Sequence, residues 1–155
     1  MMRLLLVIAI ALTYTVWHFS SAQPITADVS ALTTAPAEHE HTRDADHDRI
    51  LQAFRARESG VAVQGQGRVI KVLPDDNDGS RHQRFILRLD QDMTLLLAHN
   101  IDLAPRLAGL QSGDEVAFSG IYEWNAKGGV VHWTHHDPRG QHKAGWLRYK
   151  GSSYQ

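Results

Sequence analysis

The chain has 155 residues, with 16 Lys+Arg against 17 Asp+Glu, 10 His and no cysteine. This length suggests one domain. The near-balance of charge lacks the basic excess with which a protein grips duplex nucleic acid. The missing cysteines exclude disulfides, thiolate zinc sites, iron–sulfur clusters and cysteine nucleophiles, so any metal must be held by imidazole, carboxylate or backbone oxygen.

The opening stretch MMRLLLVIAIALTYTVWHFSSAQP has one positive charge, Arg3, then an unbroken apolar run from Leu4 to Leu12, and it ends in the small residues Ser20, Ser21 and Ala22. A spanning helix needs about 20 predominantly apolar residues, and this run falls short. Residues 1–22 therefore read as a signal peptide, or as an N-terminal anchor if uncleaved. Either delivers the rest of the chain across a membrane, to a periplasmic or secreted location, and this segment is the only expected membrane contact. Residues 23–45, rich in Ala, Thr and Pro, read as a disordered linker, and the Glu38–His41 stretch EHEH within it as solvated. The domain is then expected over residues 46–155, as a monomer.

Within it, Asp48 is placed to cap a short helix carrying Ile50, Leu51 and Phe54 on one face and stopped by Gly60. A β-rich run follows over 61–73, with Gly65 and Gly67 marking a strong bend or a bulge. PDDNDGS, 74–80, is a turn; its acids miss the spacing of a calcium loop. Residues 81–90 alternate, with Phe85, Leu87 and Leu89 on one face and His82, Arg84 and Arg88 on the other. Residues 92–100 complete a hairpin. Residues 101–114 lack a strand pattern and read as a short helix or helical turn, capped by Asp102. Residues 115–124 and 129–136 form a second hairpin across NAKG, with Gly120 a bulge. The order is β-β-β-α-β-β. This predicts a mainly β fold, an OB-like five-stranded Greek-key barrel with a short helix between strands 3 and 4 and another short helix ahead of the barrel.

The stretches HNIDLAPRL and GDEVAFSGIYEWNAKGGVVHWTHHDPRGQHKAGWL, with a closing Tyr, resemble the bacterial domain-of-unknown-function family DUF3465, over roughly residues 60–155. HWTHHDP is the most specific part. The resemblance implies a short exported protein and carries no established activity.

The candidate chemistry gathers in HWTHHDPRGQHKAGW, 132–146. Alternation along a strand puts His132 and Thr134 on one face, Trp133 and His135 on the other. His135, His136 and Asp137 then reach the barrel rim, where His142 can fold back and His99 can join them. His132, His135, His136 and Asp137 suit a divalent transition metal, and His135, His136 and Asp137 suit acid–base catalysis. The alternative is that Trp133 and Trp146 pack at the barrel end while the imidazoles bond backbone and cap turns. No other cofactor is implied. A second candidate is the outer face with His82, Arg84 and Arg88, joined by Arg106, Trp124 and Trp133 as ligand contacts, although the only aromatic of that strand, Phe85, points inward. The chain between Lys127 and Lys150 carries five basic residues against one acid, Asp137. Two functions follow. The first is an exported module binding an oligosaccharide, an oligonucleotide or a protein partner. The alternative is a metal-assisted hydrolase such as a nuclease or phosphodiesterase, with Arg84 or Arg106 stabilising a phosphoryl oxygen. The non-enzymatic module is favoured.

Overall fold

The computed structural model describes residues 35–90, 93–137, 139–140 and 142–155, with side chains from residue 45 onward. Residues 1–22, expected to be a signal peptide or anchor, and the first part of the expected linker lie outside the described residues. Thr34–Gln155 forms one compact unit. Helix α1, Ala35–Ala56, leads into β1 (Val61–Val72), β2 (His82–Arg88), β3 (Thr94–Asn100), β4 (Glu115–Glu123), β5 (Val130–His132), β6 (Trp146–Tyr149) and β7 (Ser152–Tyr154).

The sheet runs β1-β2-β3-β5-β4-β6-β7, and a further β1–β4 pairing closes its first five strands into a barrel. All barrel pairings are antiparallel except β3–β5. This is the expected OB-like five-stranded barrel. Closure depends on β1, which serves two partners. Its first part, 61–68, pairs with β4, and its last part, 68–72, pairs with β2. Gly65 and Gly67 sit where it turns the corner. A Cβ at Gly65 would lie 2.9 Å from the Phe118 ring, and one at Gly67 2.7 Å from the Arg88 carbonyl oxygen. The register with β4 runs unbroken past both glycines, and the bulge falls later, between Val69 and Lys71. Gly120 keeps its register with β1, but on its other edge it faces the break between β5 and β6, and a Cβ there would fall on the His132 carbonyl.

Side-chain alternation fills the barrel. Phe85, Leu87, Leu95, Leu97, Val116, Phe118, Tyr122, Val131 and Leu147 are fully buried, and His82, Arg84 and Arg88 face outward. Burying each large apolar side chain is worth about 1.5–3 kcal/mol.

Strand direction gives the barrel two mouths. At the mouth formed by the end of β2 and the start of β3, α1 lies across the opening. Its Ile50 and Ala53 are buried, and its His47 Nε2 stands 2.9 Å from the Asp90 carboxylate. The helix begins at Ala35, well ahead of Asp48, with Pro36 in its first turn, where the missing N–H costs nothing. Asp48 therefore lies inside the helix and does not cap it.

At the other mouth the expected helix between strands 3 and 4 is absent. Residues 101–110 form turns instead. Pro105 disfavours helical backbone at Ala104, and Gly109 takes φ +70°, so no helix can propagate between them. Leu107 fills the mouth, 1% exposed. The buried Gln83 amide grips it twice: Nε2 donates to the Leu107 carbonyl at 3.1 Å, and Oε1 accepts from the Leu107 N–H at 2.9 Å. Asp102 caps no helix; its carboxylate accepts from the Arg81 backbone and guanidinium, both at 2.7 Å.

The last predicted strand, 129–136, is cut short. β5 ends at His132 because Trp133 adopts φ +54°. The chain leaves the sheet over 133–145 and returns as β6. β5 pairs with Ile121–Glu123 of β4, and β6 pairs with Ala117–Ser119 of the same strand. The two are halves of one barrel strand interrupted by a loop. β6 and β7 are too short to read from alternation. Among the described residues, no helix is long and apolar enough to cross a membrane.

Candidate functional site

The loop 133–145 is anchored at both ends. Gly145 donates its N–H to the His135 carbonyl at 3.0 Å, closing the excursion. Inside it, Asp137 accepts from the backbone N–H of Arg139 at 2.9 Å and of His142 at 2.8 Å. A length of about 6–16 residues, touching ends and internal packing define an Ω-loop, a form often used for binding.

Trp133 stands at its start, 39% exposed, the most exposed aromatic among the described residues. Its indole is ringed by imidazoles: His142 at 4.1 Å between centroids, His132 at 5.4 Å and His135 at 5.7 Å. His135 and His142 meet edge to face at 5.5 Å. Left-handed backbone costs a non-glycine residue about 1–2 kcal/mol. The strain holds the indole at the rim, where strand alternation would have turned it elsewhere. For this reason Trp133 leaves the strand face it was expected to share with His135. His135 is 2% exposed, and Trp146 carries the Arg148 guanidinium 4.3 Å over its ring.

Partners fix the tautomers. The Nδ1–H of His135 donates to the His136 carbonyl at 2.7 Å, and that of His142 to the Lys143 carbonyl at 2.9 Å. The neutral rings therefore present Nε2 as acceptor. Nε2 of His142 and Nε2 of His132 are buried and make no hydrogen bond; they lie 3.6 Å from the carboxylates of Asp137 and Glu123 respectively. Burial lowers the His132 pKa, and the charges of His82 and His142 lower it further, against a rise from Glu123. His99, fully buried behind this rim, is committed at both nitrogens. Its Nε2–H can only donate to the Pro105 carbonyl at 3.1 Å, so Nδ1 accepts from the Thr134 hydroxyl at 2.8 Å.

Thus His132, His135, His142 and Trp133 come together, with His99 behind them. His136 is exposed, and Asp137 is occupied in shaping the loop. Among the described residues, no group of three or more His, Asp or Glu is arranged to hold a metal ion.

The second candidate set does not assemble. Arg84 donates to the Pro74 carbonyl at 3.1 and 3.2 Å and faces Asp76 at 3.4 Å. Arg106 is ion-paired with Asp75, Arg81 with Asp102, and Arg68 with Glu115. The acidic turn after β1 thus neutralises the basic residues beside it. Arg88 stays exposed. Trp124 lies at the end of β4, at the mouth away from Trp133, half-buried under the Arg57 guanidinium at 5.4 Å. Glu123 and Thr134 were missed in the sequence. Outward alternation along 115–124 could have flagged Glu123; nothing local signals Thr134.

Fold and site together define a small closed OB-like barrel whose fifth strand carries an inserted histidine–tryptophan loop. The family model described as "Protein of unknown function (DUF3465)" matches residues 32–155, and the chain belongs to that family. The matched span takes in α1 as well as the barrel. No curated protein matches the chain.

Proposed function

We propose that the domain is a ligand-binding module that takes an uncharged oligosaccharide on the Trp133 rim. One observation carries this reading: an exposed indole held by strained backbone and encircled by imidazoles, two of which offer buried nitrogens without hydrogen bonds. A buried nitrogen that meets a carboxylate only at 3.6 Å is poorly satisfied, and strained, exposed residues concentrate at binding sites. Sugar rings present a flat C–H face to stack on indole. Their hydroxyls both donate and accept, matching imidazole acceptors and the nearby Glu123 carboxylate. OB-like barrels bind both oligosaccharides and oligonucleotides. A nucleic acid is disfavoured because Arg68, Arg81, Arg84 and Arg106 are paired with acids, and one exposed indole among the described residues makes no stacking track.

The test is titration of the protein with a chitin-type tetrasaccharide, a maltotetraose and a short oligothymidylate, followed by indole fluorescence and calorimetry. Saccharide binding that Trp133→Ala abolishes supports the reading. Binding of the oligothymidylate alone, or saccharide binding indifferent to Trp133→Ala, refutes it.

A further inference from the structure

A cleft of about 310 Å³ opens between α1, β1, β4 and the residues leading into β6. That size is at the lower end of small-molecule sites, about 300–1,000 Å³. Its walls include Asp46 and Arg49 from α1, Ala62 and Gln64 from β1, Ser119 from β4, and Lys143. Asp46 and Arg49 are three residues apart on the helix and so share a face. Gln64 and Ser119 project outward from paired positions of β1 and β4, since Gln64 lies opposite Ser119.

The chemistry of these walls is mixed. Arg49 Nε donates to the Ala62 carbonyl at 2.8 Å, which fixes the guanidinium and leaves its terminal nitrogens for a ligand. Among the described residues, the side chains of Asp46, Lys143, Gln64 and Ser119 make no hydrogen bond or ion pair. A simple anion placed here would meet Arg49 and Lys143 and also the Asp46 carboxylate. A simple cation would meet Asp46 and two positive charges. A molecule carrying both signs satisfies all three: its carboxylate takes the guanidinium fork and the lysine ammonium, and its ammonium takes Asp46. Gln64 and Ser119 remain for a small polar side chain. We propose that this cleft is a binding site for a small α-amino acid in its zwitterionic form. The site shares no residue with the Trp133 rim, so its test is independent of the saccharide reading.

The experiment is calorimetry and thermal shift on the full chain with L-alanine, L-serine, N-acetyl-L-alanine and L-alaninamide. The expected result is saturable binding of the free amino acids. Each capped compound loses one charge and is expected to bind at least about tenfold more weakly, the scale of one charge-assisted hydrogen bond. Asp46→Asn should narrow the gap between L-alanine and N-acetyl-L-alanine. Lys143→Gln should weaken every carboxylate ligand, and Trp133→Ala should change none of these values. The proposal is overturned if no free amino acid binds, if the capped compounds bind as tightly as the free ones, or if Asp46→Asn leaves the discrimination intact.

Discussion

Acidification tests the reasoning about the mouth most directly, because one residue carries a calculable share of it. His99 is 0% exposed, and its pKa is lowered from 6.5 to about 4, first by burial and further by the charges of His135 and His82, against a rise from the Pro105 carbonyl. The neutral ring already uses both nitrogens. Protonation would put a second N–H where the Thr134 hydroxyl donates, and a charge where no water reaches. The unfolded chain therefore binds its proton first. Stability contributed by neutral His99 is fully present above the ordinary pKa and is lost as pH falls from 6.5 toward 4. A gap of 2.5 units, at 1.36 kcal/mol per unit, is worth about 3 kcal/mol between pH 7 and pH 4.

Asp102 and Asp114 act elsewhere on the scale. Their pKa values are lowered, chiefly by hydrogen bonds from Arg81 and Tyr149 respectively, so their contributions hold until pH falls below the ordinary carboxylate range. The comparison that isolates His99 is urea unfolding of the wild type and of His99→Gln at pH 7, 6, 5 and 4 at fixed ionic strength. Glutamine keeps a donor and an acceptor but does not titrate. The variant should start less stable, and the wild type should lose about 3 kcal/mol more than it across the range. Parallel pH profiles for the two proteins would refute the assignment of His99 as a buried neutral latch.

Gln83→Leu strips both partners from the Leu107 backbone inside the mouth, and urea unfolding should show a loss of about 2–4 kcal/mol, the cost of two buried polar groups left unbonded. Gly145→Ala would set a Cβ on the carbonyl oxygens of Trp133 and Ser119, so the loop can no longer close. Amide exchange at Trp146–Tyr149 should accelerate markedly while that of β2 and β3 stays slow. Trp133→Gly relieves the left-handed backbone by about 1 kcal/mol, offsetting the lost ring contacts. Its melting temperature should stay within a few degrees of wild type while saccharide binding disappears, and a collapse of stability would show the indole to be structural.

How far the sequence reaches is set by which signals are local. The alternation of Phe85, Leu87 and Leu89 against Arg84 and Arg88 exposes β2 because burial on one face of a strand writes itself every second residue. Asn125 and the glycines after it reveal the second hairpin for the same local reason: the Asn125 carboxamide accepts from the N–H groups of Lys127 and Gly129. The histidine segment was legible as composition and as a rim location. Its geometry was not, because the decisive event is a sign change of φ at one tryptophan, which no propensity forbids strongly enough to read. Nor does a local pattern show that WLRY, 146–149, returns to the edge of β4 that VVH, 130–132, has just left; that pairing is fixed by what remains unbonded along Ala117–Ser119. The same non-locality argues for the loop's role. With β6 restoring the ladder, the barrel gains its backbone hydrogen bonds whatever lies between the two half-strands. The cost of a left-handed tryptophan and of two unbonded imidazole nitrogens is therefore not recovered in the barrel itself. A ligand bound where they point would recover it, which makes the paired outcome of Trp133→Gly, stability kept and binding lost, the sharpest measure of whether this loop exists for a ligand.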